Sequence, residues 1–192
     1  MDSAVQIGVI FHSATGATRE LARAVHAGAE RVPGAQVQSL DLDPEDIVRG
    51  RYGRDDVLSR LSELDAMVFG SPTFMGCVSA QFKAFADATG DLWAAQAWAG
   101  KLAAGFTIGS NPAGDQLGTL QYLQLFASQH GMLWAGLSVP GYCEERQLNR
   151  LGAQTGLIAC SADGAVHADD LNTACYLGQR VAQLAQRQRG PS

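Results

Sequence analysis

Two periods of apolar residues alternate along this chain. Runs at Val5–Phe11 and at residues 66–69, 102–108 and 133–137 are apolar almost throughout. Short runs of this kind, bounded by turn residues, predict strands buried on both faces. A fifth run, residues 36–40, alternates apolar with polar and predicts a sheet edge. Between these runs the apolar positions follow helical spacing: Leu21, Val25, Ala29 and Val32; Val78, Phe82, Phe85 and Ala86; Leu117, Leu120, Leu123 and Phe126. A last helix is predicted from Asp169 or Asp170 to about Arg187, with residues 187–192 frayed. Its inward face, Ala174, Gly178, Ala182 and Ala185, is small enough for close approach to another element. Residues 41–56 are polar and acidic and read as loop, leading into a short helix at 55–63. Residues 139–155 read as irregular, closed by an apolar stretch at 157–160. Strands alternating with helices predict an α/β fold with a parallel sheet. Five strands in the order 2-1-3-4-5 suit the spacing better than an eight-stranded barrel. No internal repeat or linker divides the chain, so residues 1–192 read as one domain.

In such a sheet ligands bind beyond the carboxyl ends of the strands. Three loops rich in Gly, Pro, Ser and Thr are predicted there. The first is Ser13, Ala14, Thr15, Gly16, Ala17 and Thr18. The second is Pro72, Thr73, Phe74, Met75 and Gly76. The third is Ser110, Asn111, Pro112, Ala113, Gly114 and Asp115. In the first loop, unpaired amides at a helix start, together with the helix dipole, make an anion site. Ser13, Thr15 and Thr18 add hydroxyls, and Gly16 permits close approach of the backbone. The loop therefore reads as a phosphate cradle with few basic residues, or as an ordinary turn with Thr18 as helix cap and Glu20 in the first turn. It is neither G-x-G-x-x-G nor G-x-x-x-x-G-K-[ST]. One phosphate cradle and two backbone-rich loops are what a flavin mononucleotide requires.

Charge and cysteine usage narrow the classes. Fourteen basic and 19 acidic residues leave a net charge of −5, which argues against a general nucleic-acid or anionic-membrane surface. The opening MDSAVQIG carries neither a basic stretch nor a long apolar run, and no segment has the apolar length of a membrane span. Cys77, Cys143, Cys160 and Cys175 are scattered, which reads as reduced thiols in a cytoplasmic protein. His12, His26, His130 and His167 are too dispersed to form a metal site.

The stretch 70–93, GSPTFMGCVSAQFKAFADATGDLW, resembles the WrbA-like NAD(P)H:quinone oxidoreductases, FMN enzymes with a flavodoxin-like fold. So do Gly100-Lys101-Leu102-Ala103 through His130-Gly131-Met132, and the late helix with Tyr176, Gly178, Val181 and Ala182. The resemblance covers most of the chain and is weakest at 42–60 and 141–150. It implies that the first loop binds the FMN phosphate and that the other two hold the ring. It also implies that NAD(P)H and a quinone are the substrates, and that a Trp and a His, here Trp93 and His130, stand at the open face of the flavin. Trp93 follows a helix and His130 ends one, so both belong near the amino ends of the strands, away from their own pocket. A site assembled between subunits follows, in a homo-oligomer, dimer or tetramer; family members form tetramers. The alternatives are a helix-terminal His130 favoured by the dipole, and packing or interface roles for Trp93 and Trp98. Two departures stand out. Where the family's third loop is Gly-rich, the loop of this chain carries Pro112, which removes an amide donor. It also carries Asp115, either a carboxylate near the ring or a helix cap. The family's late Pro-Tyr-Gly is Gln154-Thr155-Gly156 here. Rival readings are a flavodoxin-type electron carrier, a flavin or azo reductase, and a non-enzymatic FMN-binding protein.

Overall fold

A computed structural model describes residues 4–189. The central strands are β1 (Val5–Phe11), β5 (Ala66–Pro72) and β6 (Leu102–Gly109), buried along nearly their whole length. Edge strand β2 (Ala35–Asp41) is largely exposed, as its alternation predicts. The parallel sheet runs β2-β1-β5-β6-β7, the flavodoxin-like topology expected. Side chains alternate strictly across it. Ile7, Val9, Phe11, Val68, Ala104 and Phe106 face α1 (Ala17–Glu30) and α6 (Ala168–Arg189). Ile10, Met67, Phe69 and Ala103 face α2 (Asp55–Leu61), α3 (Ala80–Ala88) and α5 (Gln116–Gln129). Short α4 (Gly90–Ala94) follows α3 directly.

Three expectations need correction. The strand expected over 133–137 is only β7 (Leu133–Trp134), which pairs with the start of β6. The same edge of β6 is taken up again by β8 (Leu157–Cys160), in parallel register from Phe106↔Leu157 to Gly109↔Cys160. The fifth strand position is thus filled in two pieces around an excursion. Ala135, Leu137 and Val139 are still buried. Alternation reports burial, and here burial continues after strand pairing stops.

The polar passage 41–56 holds a hairpin of β3 (Ile47–Val48) and β4 (Arg51–Tyr52). Its turn residues Arg49 and Gly50 both have positive φ, 52° and 80°, the requirement of a tight two-residue hairpin. Tyr52 fastens it by packing edge-on to Phe85 at 5.9 Å. Finally, α6 continues through residues 187–189, where Arg189 forks onto Asp65 at 2.7 and 2.8 Å. The rest of the expected frayed end, 190–192, lies outside the described residues.

The excursion 135–156 takes in the irregular passage expected over 139–155 and is anchored at its return. Arg150 donates to both oxygens of the buried Asp170 at 2.9 and 2.7 Å, and Asp170 also accepts from the Cys160 amide. The small-residue face of α6 does meet a partner. A Cβ on Gly178 would lie 1.9 Å from the Val25 carbonyl oxygen, and one on Gly28 would lie 1.9 Å from that of Cys175. Helices α1 and α6 therefore touch backbone to backbone. Gly178→Ala must separate them, and overpacking of this kind costs about 2 kcal/mol. The expected outcome is a lower urea midpoint with an unchanged slope, measured by far-UV circular dichroism.

Candidate functional site

Chain order reverses between β1 and β5: the chain goes from β1 to one neighbour, β2, and returns to the other, β5. Such a switch point opens a crevice at the carboxyl ends. Phe11 pairs with Gly70, and Pro72 with Ile108, so the loops after β1, β5 and β6 leave the sheet side by side. All three expected loops are brought together.

In the first loop the helix cap is Gly16 (φ 106°), not Thr18, which lies buried within the first turn of α1. A left-handed residue at that point is easy only for glycine. The Ser13 hydroxyl accepts from the Gly16 and Arg19 amides at 3.2 and 3.1 Å. Its own hydrogen stays available to an anion, as do the first-turn amides of Ala17 and Thr18, which precede any intrahelical acceptor. Arg19 is the one cation in this turn, and Asp41 holds it at 2.6 Å. Beside it His12 is buried, and desolvation lowers its pKa.

The second loop is tied down by hydroxyls. Thr107 Oγ1 donates to the Ser71 carbonyl at 2.8 Å, so toward Thr73 it accepts, and Thr73 in turn accepts from Thr119. The chain Thr119→Thr73→Thr107→Ser71 joins α5, the loop, β6 and β5. Ser79 caps α3 through the Phe82 amide, and its own amide donates to Ser71 Oγ at 2.9 Å. Phe74 and Met75 project outward, 48% and 102% exposed. They stand over an amide-rich crevice, where a planar apolar ring can cover them.

The third loop is fully exposed. Gly114 and Asp115 are consecutive left-handed residues, φ 45° and 53°. Asp115 makes no side-chain cap bond, so the capping alternative is set aside. Its Cβ lies 3.7 Å from where a Cβ on Gly76 would be, at the seam of the second and third loops. Two positioning residues escaped the sequence. Gln116 is fully buried and braces the loop from Nε2 to the Asn111 carbonyl at 2.9 Å. Gly118 leaves room for the Gly76 carbonyl, which a Cβ would meet at 2.4 Å. Leu117, expected on the apolar face, is half-exposed.

Trp93 and His130 lie at the other end of the sheet. The Gly100 amide donates to Gly131, and Leu102 pairs with Leu133, which sets both residues beside the start of β6. That is a strand length, roughly 25 Å, from the loops. They share a cleft of about 390 Å³ with Lys83, Asp87, Tyr122 and Leu125. Trp93 is 47% exposed, whereas His130 is 1% exposed, with Nε2 2.9 Å from Thr89 Oγ1. Trp98 is core, stacked on His130 at 4.2 Å between ring centroids. At the late departure from the family, the Thr155 carbonyl accepts from Trp134 Nε1 at 2.7 Å.

The fold, with three loops meeting at its switch point, defines a flavodoxin-like protein. Residues 5–140 match the NADPH-dependent FMN reductase family, and the chain belongs to it, among its WrbA-like members. It is 37% identical to an NAD(P)H dehydrogenase (quinone) of Archaeoglobus fulgidus, with 95% of this chain and 98% of that protein covered. It is 33% identical to flavodoxin FldP of Pseudomonas aeruginosa, with 93% and 96% covered. The crystal structure of a flavodoxin, WrbA-like protein from Agrobacterium tumefaciens superposes with a TM-score of 0.74 at 37% identity, covering 96% of this chain and 99% of that one.

Two substitutions test the site. Ser13→Ala removes the oxygen that gathers two loop amides, a loss of about 1 kcal/mol, and should weaken FMN binding roughly fivefold by fluorescence quenching. Asp115→Asn removes a negative charge from the ring-side seam. The midpoint potential of bound FMN, measured against a reference dye, should become more positive.

Proposed function

We propose that this chain is an FMN-dependent NAD(P)H:quinone oxidoreductase. The observation that carries the reading is the meeting of an anion-binding helix start with two ring-sized, amide-rich loops at the β1/β5 switch point. The name of the A. fulgidus relative supports the donor and the acceptor.

Bound FMN supplies hydride acceptance from the nicotinamide and two-electron delivery to the quinone. The Ser13 hydroxyl and the Ala17 and Thr18 amides hold the phosphate end. Pro72 to Gly76, fixed by the Thr119–Thr73–Thr107 chain, present a preformed edge to the ring. Ser110 to Asp115 close the other side. The described residues hold no separate dinucleotide-binding domain, and donor and acceptor take the same open face in turn. The Asp115 carboxylate disfavours negative charge on the ring and so favours handing electrons on.

Trp93 is too far from its own crevice to touch a ring held there. We read it as the cover of a neighbouring subunit's site, with His130 in the wall behind it, in a homo-tetramer of single-domain chains in the cytoplasm. Among the described residues no helix is long and apolar enough to cross a membrane. The second reading, a one-electron carrier, rests on the name of the P. aeruginosa relative.

The test is to saturate the protein with FMN and add NADH or NADPH without oxygen. Rapid loss of the visible flavin band, restored in one step by benzoquinone, is the expected outcome. Bound FMN that neither nucleotide reduces would favour the carrier. Sedimentation should give four chains per particle.

A further inference from the structure

Thr89 is the corner between two helices. It ends α3 and begins α4, and its carbonyl accepts the Trp93 amide at 2.9 Å. Its hydroxyl has one hydrogen, which goes to the Ala86 carbonyl at 2.8 Å. Toward His130 Nε2, 2.9 Å away, that hydroxyl can therefore only accept. Nε2 must carry the imidazole hydrogen, and Nδ1 is the bare nitrogen, buried without a partner. Trp98 stacked on one side and Phe126 edge-on at 5.0 Å fix the ring plane. A charged ring would bury a second N–H with no acceptor, and burial pushes the pKa down to about 4. The titratable groups sharing the cleft are Lys83 and Asp87 of α3, paired with each other at 2.5 Å, and Tyr122 of α5, whose hydroxyl burial pushes up to about 12.

We propose that His130 is a positioning residue, a neutral Nε2–H donor that locks the Thr89 corner and so sets how α4 presents Trp93, and that it is not the proton donor to the quinone. The proposal rests on the reading that Trp93 covers a neighbour's ring. Its own part is that the single hydrogen His130 holds at neutral pH is already committed to Thr89.

Gln places an amide N–H donor near the position of the imidazole Nε2–H, whereas Phe fills the ring space with no donor. With FMN-saturated protein, His130→Gln should keep the benzoquinone KM within about twofold and leave the pH profile unchanged between pH 5.5 and 8.5. His130→Phe and Thr89→Val should each raise that KM about fivefold, the loss of one hydrogen bond. In single turnover the nicotinamide, which takes the same face, should need a correspondingly higher concentration to bleach the flavin in these two variants, and Thr89→Ser should restore the KM. Nitrogen chemical shifts of the imidazole should show the Nε2–H form, unprotonated down to about pH 5. A His130→Gln protein that loses turnover together with a limb of the wild-type pH profile would overturn the proposal. So would imidazole shifts that titrate near pH 6.5. Trp93→Ala separates the two levels. If it raises the quinone KM while His130→Phe and Thr89→Val do not, the corner proposal alone fails. If Trp93→Ala leaves KM unchanged, the shared-site reading fails, whatever the imidazole shifts show.

Discussion

A parallel sheet has to be covered on both faces, and that constraint decides where chemistry can happen in this chain. Each of β1, β2, β5 and β6 returns through a helix, so their strand-to-helix loops gather at one end and the helix-to-strand loops at the other. Along β1, β5 and β6 the backbone groups are spent on the ladder. Free amides reappear where the loops open toward α1, α3 and α5. The crevice at the carboxyl ends is consequently rich in backbone donors and poor in charged side chains. The same topology sends Trp93 and His130 to the amino ends, since Trp93 lies in the short α4 that follows α3 and His130 closes α5. Nothing in a single chain brings the two ends together. A neighbouring chain can, and this is why oligomerisation belongs to the functional reading.

The two ring loops are held with unequal firmness, and the difference is chemical. The second is stitched to β6 and α5 by three threonine hydroxyls whose donor directions are all determined, and to α3 through Ser71 and Ser79. Such a loop is organised before a ligand arrives, which removes the ordering cost from binding. The third has one amide brace, from Gln116, and carries a left-handed aspartate where the family places glycine. A non-glycine residue held in that conformation costs on the order of 1 kcal/mol. Strain and an unpaired carboxylate at the same residue make the third loop the natural place for this chain to differ from its relatives in flavin behaviour.

The sheet and the three loops were legible because their signals are local. A strand buried on both faces is apolar at consecutive positions, and Gly, Pro, Ser and Thr mark its end. Features that depend on distant partners were not legible. The broken fifth strand is decided by which part of β6 each piece meets: the Ala135 amide still bonds to Ala103, whereas Leu137 turns to Gln154 and Val139 is buried beyond the sheet pairing. The 47–52 hairpin hides because Arg49 is an unusual residue for a left-handed turn. Gln116 reads as a surface residue until its amide is seen beneath Asn111. The helix start moved from Thr18 to Gly16 because a positive φ outweighed a good capping side chain. His130 was visible as a residue of interest, but its burial and its bond to Thr89 depend on contacts across 41 positions.

The proposed phosphate cradle reconciles an acidic composition with an anionic cofactor. A chain with net charge −5 gains little from long-range attraction. Arg19, the one cation in the first turn of α1, is engaged with Asp41. What remains is short-range and directional: a helix start, a serine that gathers two amides while keeping its own hydrogen free, and a glycine that lets the backbone turn. These contacts discriminate by geometry, because an amide donates along one direction, whereas a flexible lysine attracts any nearby anion. A crevice selective in this way can retain a bound phosphate while a dinucleotide, which carries phosphates of its own, comes and goes over the ring.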